Sequence, residues 1–221
     1  MSIKDLTQKS FSVLIIRSLG VLLLFGFTLF ITNFFTAENV GRYDFVRSAL
    51  MVLGGLALMG TNQSIIYYSG LLKARKSIES IRAVYSKMIK IICVLSFIVL
   101  ALYIVFFSQE KVNEFFNNEE SFSLLLKSIL TLVFFALTML NIDTIRALQK
   151  TVLSEIYRSL FRYLPVFFLA AVLLKFNQQA YLVEAYLTGF VLLSFFSSVR
   201  VYKIFKTLQK PNKKSESFSM H

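Results

Sequence analysis

Histidine, cysteine and proline are almost missing from this 221-residue chain. The one histidine is the last residue, His221. That removes bis-histidine haem ligation, His-rich zinc sites and a well-placed histidine general base. The one cysteine, Cys93, excludes an intramolecular disulfide. No Gly-x-x-x-x-Gly-Lys-Ser/Thr loop and no His-Glu-x-x-His occurs, so P-loop nucleotide hydrolysis and zincin chemistry lack their residues. The acidic pairs Glu119–Glu120 and Glu110–Glu114 fall in one short connecting segment. A carboxylate pair for glycoside chemistry belongs in a folded cleft. The sequence is therefore read as a non-enzyme with no cofactor and no metal. Charge is scarce too: 16% of residues are charged, against roughly 25% in soluble proteins.

What is present is apolar. Hydrophobic residues make up 56% of the chain and mean hydropathy is +0.66. At roughly 20 residues per span, this allows about six membrane crossings and leaves little for a water-soluble core. The sequence predicts an all-α polytopic membrane protein with spans at 11–35, 45–69, 88–107, 122–142, 156–176 and 180–199. These fill a transmembrane unit over residues 1–206, followed by a basic tail at 207–221. The lengths, without strict alternation, call for helices, whose backbone groups are satisfied within the segment. The first span is too long for a signal-peptide core and no small-x-small cleavage site follows, so it is expected to be retained. The fifth is the weakest, because Arg158 and Arg162 interrupt its start and Pro165 is expected to kink it. No internal repeat or low-complexity tract is visible.

The net charge of +12 is distributed by position. Most basic residues lie before span one, between two and three, between four and five, and after six, as with Lys73, Arg75, Lys76, Arg82, Arg146, Lys150, Arg200 and Lys203. The opposite connections hold only Arg42, Lys111 and Lys175, beside Glu38, Asp44, Glu110, Glu114, Glu119, Glu120 and Glu184. The positive-inside rule then predicts both termini in the cytoplasm. Topology and contact with anionic lipid account for the charge, and no nucleic-acid partner is expected. Pro211, Asn212 and a Lys/Ser run mark the tail as a flexible end.

Ionisable residues inside spans are costly and usually face a bundle interior or a wet cavity. Arg17, Arg47 and Lys127 lie within spans one, two and four. On a helical wheel Lys127, Thr131, Thr138 and Asn141 fall within about 80° of each other, and Arg47, Gly54 and Thr61 share a face within about 40°. Arg17 shares a face of span one with Leu24 and Thr28. One reading has these faces line a common polar groove whose cations, with Arg158 as a fourth, receive an anionic group. The other has Arg17, Arg47 and Lys127 snorkel to the interfaces while Thr and Asn pack against neighbouring helices. Glu155, Arg158 and Arg162 share a face, and Asp143 and Arg146, spaced i, i+3, are expected to neutralise each other.

Residues 34–70 run from an acidic turn, Glu38-Asn39-Val40, through Gly41-Arg42-Tyr43 to a small-residue helix with Gly54-Gly55 and a polar pair, Asn62-Gln63. This pattern resembles helices one and two of polysaccharide and O-antigen flippases of the multidrug/oligosaccharidyl-lipid/polysaccharide exporter superfamily. The basic loop at 71–90 and the spacing of the later spans are similar as well. The resemblance implies a carrier in the bacterial cytoplasmic membrane that moves an undecaprenyl-pyrophosphate-linked oligosaccharide between leaflets for surface polysaccharide and lipopolysaccharide biosynthesis. It also implies alternating access between two lobes of six helices. Arg17, Arg47, Lys127 and Arg158 would receive the pyrophosphate, and Thr61, Thr131, Thr138 and Asn141 would line the cavity. Full members have twelve to fourteen spans, so this chain is expected to be the N-terminal lobe: a truncated frame, a piece of a split gene, or a half-transporter. It would pair with a second lobe of six to eight helices or with a copy of itself. Rival readings are a multidrug exporter half, a non-transporting scaffold of an envelope polysaccharide complex, and a membrane enzyme.

Overall fold

The computed structural model describes residues 3–74 and 78–209. The middle of the basic loop (75–77), residues 210–221 of the expected tail, and His221 lie outside the described residues. The described chain is helical throughout, without a strand. Its helices are α1 (Ile3–Phe34), α2 (Ala37–Leu58), α3 (Thr61–Ala74), α4 (Ile78–Phe106), α5 (Gln109–Phe116), α6 (Ser121–Ala147), α7 (Thr151–Ile156), α8 (Leu164–Lys175) and α9 (Leu182–Gln209). A π-helical turn, Tyr157–Phe161, follows α7, and a 3₁₀ turn, Gln179–Tyr181, precedes α9. Five helical stretches among the described residues are long and apolar enough to cross a membrane, and the α2–α3 pair, bent by 44° at its break, adds a sixth where the two helices count as one span. The protein is an all-α, multi-pass membrane protein.

The span pattern follows the sequence, with three differences. First, the 45–69 segment is not one straight helix. Met59 (φ 38°) and Gly60 (φ 76°) both take left-handed backbone and end α2. That conformation costs a β-carbon-bearing residue roughly 1–2 kcal/mol, so glycine is the natural second residue of the break. Second, the acidic connection folds into α5, held by Asn113. Its side-chain amide donates to the Glu119 carbonyl (2.6 Å), and its side-chain oxygen accepts the Phe122 N–H (3.0 Å). Third, α9 continues to Gln209, past the expected start of the tail at 207. There the Thr207 hydroxyl donates to the Lys203 carbonyl (2.8 Å).

The weak fifth span is broken in an orderly way. Arg158 sits in the π-helical turn, and α8 restarts at Leu164 with Pro165 in its first turn, where no intrahelical N–H is needed. The Tyr163 N–H turns back to the Leu160 carbonyl (3.0 Å) and the Phe167 N–H reaches Tyr163 (2.9 Å).

Helices α6 and α9 form the centre: 50% and 56% of their apolar windows are buried, against 17% for α1 and for α4. Gly54 lets α2 reach α6, because a β-carbon there would overlap the Phe135 ring. Gly20 does the same for α1 and the π-turn, since a β-carbon would sit 2.8 Å from the Ser159 carbonyl oxygen. The core runs through Phe27, Tyr43, Val46, Leu50, Leu132, Leu140 and Ile145. A satellite cluster of Tyr103, Val112 and Ile129 anchors α5.

Candidate functional site

Charged side chains within the spans gather into three groups. The first ties α1, α3, α6 and the α7–π-turn segment together. Arg17 donates from Nε and Nη2 to the two Glu155 carboxylate oxygens at 3.0 and 3.3 Å, a bidentate pair. The Ser159 hydroxyl donates to the same carboxylate at 2.9 Å. One turn away Arg158 donates to Asp143, whose second oxygen accepts the Asn62 amide at 3.1 Å. Both carboxylates are buried, each side chain 8% exposed, whereas Arg17 is 55% and Arg158 36% exposed. Each acid is thus sealed in the bundle and each guanidinium stands on its rim. The sequence expectation that Asp143 pairs with Arg146 is corrected here: Arg146 is exposed, and Asp143 turns to Arg158 on the next element.

The second group is a nest of rings with an arginine at each end. Arg47 lies 5.9 Å from the Tyr43 ring centre and 3.4 Å from Asp44. Tyr43 meets Tyr186 edge-on at 5.0 Å, and Tyr186 meets Phe190 at 5.2 Å. Arg162 then lies 5.8 Å from Phe135, 5.7 Å from Tyr163 and 5.9 Å from Phe190, near the outer limit for cation–π attraction. Among the described residues Arg162 has no carboxylate partner. The Nε atoms of Arg47 and Arg162 and the Tyr43 hydroxyl are buried without a hydrogen-bond partner. Buried polar groups left this way are rare in proteins.

The third group is the pair Lys127–Glu184 (2.5 Å), which joins α6 to α9 near the end of the bundle that carries α5. The second Glu184 carboxylate oxygen is buried without a partner.

Of the residues singled out from the sequence, Arg17 and Arg158 come together through α7 and the π-turn, while Arg47 and Lys127 lie in separate groups. All four have an acidic partner. Arg47 also sits deeper than its place near the end of a 45–69 span suggests. Helix α2 begins at Ala37, so Arg47 lies about 15 Å along it at 1.5 Å per residue. The expected groove lining behaves differently. Thr131 and Thr138 are buried and donate to their own helix at Lys127 and Phe134 (2.9 and 2.8 Å). Asn141 is fully buried; it accepts the Tyr85 hydroxyl at 2.5 Å and donates to Ser197 and Ser198 at 2.9 Å each. These residues join α4, α6 and α9 and face packed side chains, not a wet groove. Thr61 is buried with its hydroxyl unpartnered.

Sequence reading missed Arg162 as a site residue and Glu155 and Asp143 as partners. The i, i+3, i+7 spacing of Glu155, Arg158 and Arg162 was the available signal, but the π-turn sends the three in different directions. Arg42 was also passed over. It donates to Glu38 (2.8 Å) and pairs with Glu120 (2.5 Å), fastening α2 to the start of α6. No family model, curated protein or solved structure matches this chain.

Proposed function

We propose that the chain is one lobe of a carrier that passes a lipid-linked, pyrophosphate-bearing oligosaccharide across the bacterial cytoplasmic membrane, with both chain termini on the cytoplasmic side. The observation that carries this reading is the ring nest: the buried Arg162 Nε, inside a span, has no hydrogen-bond partner and Arg162 no carboxylate among the described residues, while the buried Arg47 Nε meets only Asp44, at 3.4 Å and outside hydrogen-bond geometry. Hydrocarbon supplies no acceptor, and water or an anionic group does. Phosphate oxygens suit guanidinium donors in number and planarity. The rings beside them, Tyr43, Phe135, Tyr186 and Phe190, are buried in the core and pack against the two guanidinium groups. The bidentate Arg17–Glu155 pair, open on its arginine side, adds a cation that can trade a carboxylate for a phosphate. The second lobe, or a second copy, would provide the opposite wall of the cavity.

A second reading has its own observation. Arg17, Arg47, Lys127 and Arg158 each already have a carboxylate, which is the arrangement expected of a scaffold whose ion pairs hold helices together.

Titration of the purified chain in nanodiscs with a polyprenyl-pyrophosphate oligosaccharide separates the two. The carrier reading expects saturable binding that weakens about tenfold in Arg47→Gln and in Arg162→Gln, as loss of a charged hydrogen bond implies. The scaffold reading expects no saturable binding, and that result would sink the carrier.

A further inference from the structure

Beneath α5 lies an open groove of about 650 Å³, within the range of roughly 300–1,000 Å³ typical of ligand sites. It shares no residue with the three charged groups. Its floor is Tyr103 of α4 with Leu125 and Ile129 of α6. Leu53 and Leu56 of α2 form one wall; Val99 and Leu102 of α4 form the other. The Tyr103 hydroxyl is spent on the Phe122 carbonyl (3.0 Å), so the floor offers no free polar group. Lys111 is the one charged residue in the lining. Among the described residues its ammonium has no ion-pair partner.

The groove sits where α4 ends and α6 begins, at one edge of the spans. Its roof, α5, is amphipathic: Val112, Phe115 and Phe116 against Gln109, Glu110, Asn113 and Glu114. Short helices of this kind lie at the boundary between headgroups and chains. Phe116 pins the roof by meeting Phe45 edge-on at 5.1 Å. Phe115 is 82% exposed at the rim. An apolar trough with a single cation at its mouth, at interface depth, suits one hydrocarbon chain bearing a phosphate.

The headgroup follows from the surrounding charge. Glu110 and Glu114 flank Lys111 at i−1 and i+3, both exposed. Glu119 is exposed in the next turn. A purely anionic headgroup would meet more carboxylate than ammonium here. A zwitterion with a terminal ammonium satisfies both signs. We infer that the groove beneath α5 binds one acyl chain of an amine-bearing zwitterionic phospholipid, of the phosphatidylethanolamine class. Its phosphate rests on Lys111 and its ammonium lies toward Glu110 and Glu114.

Native mass spectrometry of the full purified chain tests this, with phosphatidylethanolamine and phosphatidylglycerol of identical chains as probes. The inference expects one saturably retained phosphatidylethanolamine, held about fivefold more tightly than phosphatidylglycerol, the factor one surface charge confers. Lys111→Glu should cost about fivefold or more in retention. Leu102→Trp, which fills the trough, should abolish it while helical content and elution volume stay unchanged. Leu56→Trp, on the opposite wall, carries the same expectation and stands alone if Leu102→Trp disturbs packing. Equal retention of both lipids, full retention in the folded Trp variants, or a dimer whose interface occupies the groove would each overturn the inference.

Discussion

Asp143 shows how a single residue decides what its partners do. Its carboxylate is almost sealed, with one oxygen on Arg158 and the other on Asn62. Removing the guanidinium leaves an uncompensated buried charge, which costs more than the pair itself contributes. Arg158→Ala should therefore destabilise the protein by about 2 kcal/mol, below the roughly 3–5 kcal/mol of a fully enclosed pair because Arg158 is about a third exposed. The double variant Asp143→Asn, Arg158→Gln should recover more than half of that loss. Thermal unfolding in detergent reads both, and a double variant no better than Arg158→Ala would refute the account. The residues that bear charge were visible in the sequence as costly occupants of apolar runs. Their partners were not, because Arg17 and Glu155 are separated by the whole of α2 to α6, and nothing local to either residue encodes that meeting.

At the scale of elements, periodicity and length disclosed the helices, while their interruptions depended on packing. Pro165 signalled trouble in the fifth span, but the π-turn before it packs against Gly20, a close approach that nothing local to residues 157–161 displays. The stripe of Thr131, Thr138 and Asn141 was correctly seen as one face of a helix. Its environment was not legible, since a polar stripe can face water or the hydroxyls of Ser197 and Ser198 equally well on a wheel. Gly54 is the tightest joint between α2 and α6. Gly54→Val should lower stability by about 1–3 kcal/mol through overpacking against Phe135. Adding Phe135→Leu should restore part of it, and melting curves of the single and double variants check the coupling.

At the scale of the whole molecule, hydropathy pointed to the long apolar helices, each overlapping an expected span but running up to nine residues beyond its bounds, as in 79–106 for the expected 88–107. Sidedness is open to direct measurement. With Cys93 replaced by Ser, Gln8→Cys and Thr207→Cys should react with an impermeant maleimide from one side of the membrane. Lys111→Cys should react only from the other side, because three crossings separate it from each end when α2 and α3 cross as one unit. Labelling of Lys111→Cys and Gln8→Cys from the same side would mean that α2 and α3 do not cross as one unit. The native Cys93, exposed in the apolar run of α4, should resist the impermeant reagent until the protein is denatured.

The break at Met59 and Gly60 divides the α2–α3 pair into two separately hydrogen-bonded halves. Two left-handed residues interrupt the hydrogen-bond ladder, which closes at the Gly55 carbonyl and restarts from the Gly60 carbonyl. Helix α2 carries Arg47 and the glycine joint to α6; α3 carries Asn62 and its grip on Asp143. The two halves are therefore anchored separately, α2 to α6 at Gly54 and through Arg42–Glu120, α3 to α6 through Asn62 and Asp143.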